Sequence, residues 1–122
     1  MKCEIDFIPT KRRDRTLKNG MHYPDPKNRA EAEAIRAAYT GGYHEGPVEV
    51  VIDTYAKLPK GKKNPEPNTH KPDADNTAKA ILDALNGIAF EDDRFVVFQS
   101  CRKHPRTARE KPKTVFEVIP CE

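Results

Sequence analysis

The sequence predicts an α+β fold in which one mixed β-sheet of about four strands packs against two helices, in the order β-α-β-α-β-β. Three observations carry this. Two segments repeat apolar residues at helical spacing, and four others are β-branched or alternate with a period of two. Stretches rich in Pro, Gly and Lys separate them. With 122 residues and no internal repeat, one domain spanning 1–122 accounts for the chain.

Each element has its own signal. Lys2 to Ile8 sets Cys3, Ile5 and Phe7 against Lys2, Glu4 and Asp6, which is the period of a half-buried strand. Pro9 ends it, and the basic run to Met21 reads as an exposed loop. Asp25 is placed to cap a helix that Pro26 opens. Ala30, Ala34, Ala37 and Ala38 lie beside Ile35 and Tyr39 in its body, and Gly41–Gly42 stop it. Val48 to Ala56 is a β-branched strand. Residues 57–71 hold Gly61, Pro59, Pro65, Pro67 and five lysines, a mobile basic loop that orders on a partner. A second helix is expected from about Asp75 to Asn86, with Ala78, Ile81, Leu82 and Leu85 as its buried stripe and Asn86–Gly87 as its close. Phe95 to Ser100 is apolar on both faces through Phe98, which predicts a central strand. A Pro-punctuated basic loop then leads to a last strand at Thr114–Ile119.

Composition removes several classes of function. No apolar run can span a bilayer and no signal segment opens the chain, so a cytoplasmic protein without a membrane partner is expected. Cys3, Cys101 and Cys121 are far apart and odd in number, which points to neither a zinc site nor a disulfide framework. His22, His44, His70 and His104 form no ligand-spaced pair and read as loop or surface residues. The net charge of +3 is small, but its distribution is informative. Basic clusters occur around Lys11–Lys18, around Lys57–Lys71 (Lys60, Lys62, Lys63 and Lys71) and around Arg102–Lys113 (Arg102 and Lys103 first). Each alone is a solvated surface; three in one small domain point to a polyanion.

At the centre of these clusters lies Lys71-Pro72-Asp73-Ala74-Asp75-Asn76-Thr77-Ala78-Lys79. An aspartate before a helix is ordinarily a cap, but one cap does not require two carboxylates. Asp75, Lys79 and Asp83 recur every four residues along one helical stripe, either as exposed salt bridges or as a carboxylate and a lysine side by side where phosphate is welcome. Glu91-Asp92-Asp93 follows in the turn before the next strand. If the two clusters meet, their mutual repulsion calls for a cation. Hard oxygen donors without imidazole or thiolate favour Mg²⁺, with Mn²⁺ as a substitute. Such an ion polarises a phosphodiester and activates water, so an acidic centre with a basic rim reads as a nuclease.

The run Lys71-Pro-Asp73-Ala-Asp75-Asn76, then Lys79-Ala, Ile81-Leu-Asp83-Ala-Leu85-Asn-Gly, Asp92-Asp93 and Arg94-Phe-Val-Val resembles the RusA-type Holliday-junction resolvases. The resemblance implies a homodimeric, Mg²⁺-dependent endonuclease that cuts four-way DNA junctions in recombination and repair. It implies that Asp73, Asp75 and Asp93 are the metal-binding catalytic aspartates and Lys79 the essential lysine, with Asp92 and Asn76 in support. Lys60, Lys62, Lys63, Lys71, Arg102 and Lys103 are the expected DNA contacts. The chain departs from the family where a Pro- and Asn/Ser-rich turn normally follows the first strand: here it reads Ile8-Pro9-Thr10-Lys11-Arg12-Arg13. The alternative is a branched-DNA-binding protein that does not cleave and whose acidic cluster is structural.

Overall fold

Alternating burial along the strands decides where the core lies. The computed structural model describes residues 1–121, with β1 at Cys3–Ile5, β2 at Arg15–Thr16, β3 at His22–Tyr23, α1 at Pro26–Ala38 and β4 at Val48–Lys57. α2 (Ala74–Leu85), a 3-10 turn (Asp93–Phe95), β5 (Val96–Thr107) and β6 (Lys113–Pro120) complete the chain. The mixed four-stranded sheet has the order β1-β6-β4-β5, with β4 parallel to β5 and antiparallel to β6. The expected α+β class and element order therefore hold for a single small domain.

Val48, Val50, Ile52 and Thr54 of β4 and Thr114, Phe116 and Val118 of β6 are buried on one face, together with Cys3 and Ile5 of β1. α1 supplies Ile35, and α2 supplies Ala78, Ile81, Leu82, Ala84 and Leu85 to this core. Burying each large apolar side chain here stabilises the fold by roughly 1.5–3 kcal/mol. Both helix starts follow the expected chemistry. Asp25 accepts the Lys27 N–H at 2.9 Å with Pro26 behind it, and Asp73 accepts the Asn76 N–H at 2.8 Å. Gly87, with φ of 79°, turns the chain after α2 in a conformation that L side chains rarely adopt.

Three expectations are corrected. The apolar run at Phe95–Ser100 is not in a central strand: β5 pairs with β4 alone and lies at the sheet edge, leaving Val97 63% and Phe98 52% exposed. Apolarity on both faces signals cover on both faces, and one chain does not provide it. β5 also continues through the supposed basic loop to Thr107. Pro105 lacks a backbone donor, which suggested a loop, but an edge strand tolerates that lack. Consequently His104 is a strand residue: its ring stacks on Tyr55 with centroids 4.3 Å apart, and its Nε2 meets Asp53 at 2.7 Å. Finally, the exposed segment before α1 is not all loop, because β2 and β3 form a small separate hairpin.

Lys57 closes β4, and the basic loop that follows to Lys71 forms no helix or strand, as its prolines require. It is nonetheless fastened to β5. Leu58 is buried and bonds Thr107, and Glu66 exchanges two backbone hydrogen bonds with Arg106 at 3.1 and 2.7 Å. No helix among the described residues is long and apolar enough to cross a membrane.

Candidate active site

The connection from β4 through α2 to β5 sets the geometry of the site. Because β4 and β5 run parallel, α2 must travel back along them. Its first turn therefore lies at the end where β4 and β5 finish, and the turn holding Asp92 and Asp93 lies where β5 begins.

At the first end, Asp73 is the N-cap and Asp75 lies in the first turn, both exposed. Lys79 follows one turn on, also exposed. The salt bridges that would make Asp75, Lys79 and Asp83 a mere solvated stripe do not form: Asp83 pairs instead with Lys11. Lys79 makes no ion pair among the described residues, so its ammonium and the two carboxylates face solvent together. The helix N-terminus adds partial positive charge and free backbone N–H groups at the same place.

Asn76 has a specific structural task. Its carboxamide accepts the Lys11 N–H at 2.8 Å and donates to the Lys11 carbonyl at 3.1 Å. This fastens the segment after β1 across the start of α2. The departure from the family pattern marked this segment as unusual, but no local signal identified Lys11 as a partner of Asn76 and Asp83, because those contacts span 65 and 72 residues.

At the other end, Asp92 caps the 3-10 turn through the Arg94 N–H and lies 3.6 Å from the Arg94 guanidinium. Asp92 and Asp93 influence each other strongly. A hydrogen bond to Asp92, then lost hydration and the negative charges of Asp92 and Asp83, hold the Asp93 carboxyl above the usual aspartate range. Hydrogen bonds from Asp93 and from the Arg94 backbone lower Asp92 correspondingly. Asp93 thus lies near Asp83, two turns beyond Asp75 along α2, a separation of about 12 Å along the axis.

The donor type fits Mg²⁺, since carboxylate oxygens are the side-chain donors at both ends. The spacing within one chain does not, since no group of three His, Cys, Asp or Glu residues among those described could hold an ion. Asp73 and Asp75 are brought together, and Asp92 and Asp93 are brought together, but the two pairs remain apart.

The basic residues divide as well. Lys60, Lys63 and Lys71 are exposed, whereas Lys62 pairs with Glu66 at 3.0 Å. The Lys103 ammonium donates to the His70 carbonyl, three residues before Asp73, and so borders the first acidic pair. Arg102 is opposite Asp53 on the sheet face that carries no helix, turned away from α2.

Comparison with curated proteins finds no match. The family model for endodeoxyribonuclease RusA matches residues 4–118, covering nearly all of the sheet, both helices and both acidic pairs. The chain belongs to the RusA endodeoxyribonuclease family.

Proposed function

We propose that this chain is an Mg²⁺-dependent endonuclease that resolves four-way DNA junctions as a homodimer, in recombination and repair. The observation that carries the proposal is the exposed Asp73–Asp75–Lys79 constellation on the first turns of α2 in a chain of this family. Asp73, Asp75 and Asp93 would hold the ion, whose chemistry is polarisation of a phosphodiester oxygen and activation of water. Lys79 is placed to offset charge on the phosphate, beside the N–H groups of the helix start. Lys71 and Lys103 border the same end, and Lys60 and Lys63 extend the positive surface for the flanking backbone.

The separation of the two acidic pairs supports the dimer. Glu66 already pairs with Arg106 at the far end of the outer edge of β5, but the first half of that edge, with Val97 and Phe98 exposed, is open for a second copy to pair along it. Antiparallel pairing about a two-fold axis would turn the Asp93 end of one chain towards the Asp73–Asp75 end of its partner. Each ion would then bind between chains, and the two symmetric sites would match the two symmetric cuts that a junction needs.

The test is incubation with a synthetic four-way junction, with and without Mg²⁺, beside Asp75→Asn. Paired nicking that needs Mg²⁺ and is lost in the variant, with binding retained, is the expected result. Binding with no cleavage under any divalent cation would favour the non-cleaving alternative, and cleavage by the variant would overturn the site.

A further inference from the structure

The β2–β3 hairpin belongs to no part of the core and plays no role in the chemistry above. It is closed by the Leu17 N–H on the Met21 carbonyl at 2.8 Å, with Gly20 at φ of 87° in the turn. Its tip presents Leu17, 46% exposed, and Met21, 62% exposed. A two-stranded hairpin is marginal by itself in water, so a rigid one needs anchors.

The anchors lie in the residues just before it. Asn76 of α2 holds both backbone groups of Lys11, as described above. Asn28 of α1 does the same for Arg12, accepting its N–H at 2.9 Å and donating to its carbonyl at 2.8 Å. The Arg12 guanidinium grips both carboxylate oxygens of Glu31 at 3.0 and 3.2 Å, and the Thr10 N–H also bonds Glu31. Beyond the strap, Arg15 meets Asp25, the cap of α1, at 3.4 Å. Lys11, Arg12 and Arg15 are thus committed to holding the hairpin. Arg13 at the base of the hairpin and Lys18 in its turn make no ion pair among the described residues and remain exposed.

An apolar pair on a rigid projection, flanked by unpaired cations, fits a nucleic acid whose stacking can be entered. Inserting a side chain between stacked bases costs a few kcal/mol per step. At a branch point the stack is already interrupted, so most of that cost is absent. The segment that leads into the hairpin is pinned at Lys11 to Asn76, next to Asp75, so the chain runs from the edge of the acidic site to the hairpin.

Building on the junction-resolving reading, we propose that the β2–β3 hairpin is a branch-point wedge: Leu17 and Met21 enter the opened stack, and Arg13 and Lys18 hold the neighbouring phosphates. The wedge is a device of selectivity for branched over linear DNA.

The experiment replaces both tip residues, Leu17→Ser with Met21→Ser, at positions too exposed to disturb the core; circular dichroism checks the fold. Affinities for a four-way junction and for a duplex of the same sequence are measured in EDTA, with 2-aminopurine at the branch point reporting unstacking. The ratio of junction to duplex affinity is expected to fall about tenfold, and the fluorescence rise on binding to disappear. A ratio within about twofold of wild type, or a retained fluorescence rise, overturns the wedge alone, provided that the wild type cuts junctions. A wild type that neither prefers nor cuts junctions overturns the junction reading and the wedge together.

Discussion

The arrangement of the acidic pairs makes a specific prediction for mixed dimers. Asp93 lies near Asp83, two turns beyond Asp75 on α2 and about 12 Å from it along the axis. Two carboxylate oxygens on one Mg²⁺ each sit about 2.1 Å from it, and so within about 4 Å of each other. Within one chain no three acidic groups among the described residues come close enough to share an ion, and the buried Ile81 and Leu85 hold α2 in its helical form. If the site is shared between chains, Asp75→Asn and Asp93→Asn are each inactive alone but complement each other when mixed. Each mixed dimer carries both lesions in one site and none in the other. After random exchange about half the dimers are mixed and have one of two sites intact, so nicking should recover to about a quarter of wild type. The products should be single nicks rather than paired cuts. Differentially tagged chains and a junction labelled on each strand make both the exchange and the nicks measurable. The converse control places both substitutions on one chain: its mixed dimers with wild type should be inactive at both sites. Absence of complementation in verified mixed dimers, or an active site surviving in the control, would refute the shared site.

Replacing Asp73 separates its two roles. Asn caps a helix as well as Asp, so Asp73→Asn should lose cleavage at nearly unchanged stability. Asp73→Ala should lose cleavage and about 1 kcal/mol, read as a fall of about 3–5 °C in Tm. In metal-free protein, Asp92→Asn should lower the Asp93 titration midpoint, because it removes the partner whose hydrogen bond and charge favour the protonated form. Carboxyl NMR across the acid range checks this, and an unmoved or raised midpoint would count against the coupling. Neutralising Lys60, Lys62 and Lys63 together should weaken junction binding and reduce the slope of log affinity against log salt by up to about 2–3. The smaller end of that range is expected because Lys62 already spends its charge on Glu66. An unchanged slope would show this loop to be solvated surface.

Much of the fold was legible because its signals are local. The Asp25–Pro26 start of α1 and the Asn86–Gly87 close of α2 each depend on a few adjacent residues and match the sequence reading, whereas the choice between Asp73 and Asp75 as the cap of α2 is made by the structure, in favour of Asp73. β5 was misread for two opposite reasons. Its apolar first half suggested the sheet centre, although strand order is set by which neighbours pair, not by composition. Its basic second half suggested a loop, although Tyr55 and Asp53 on the adjacent strand supply His104 with partners that no local window contains. An aspartate before a helix ordinarily caps it, and Asp73 does so; Asp92, read only as part of a turn, caps the 3-10 turn as well, and capping does not prevent a carboxylate from keeping an oxygen for another partner.

By itself, the sequence determined the chemistry offered at the start of α2. A proline-led aspartate cap, a second aspartate within the first turn and a lysine one turn later must occupy one end of a helix, because helical geometry links them without help from the rest of the chain. Only the tertiary structure decided what that end faces. Parallel pairing of β4 with β5 sends α2 back across the sheet and carries Asp93 to the opposite end. The placement of β5 leaves an open edge, and two asparagines pin a basic strap across the helices. These features depend on contacts between residues far apart in the chain, which arise only when the sheet and the core close together.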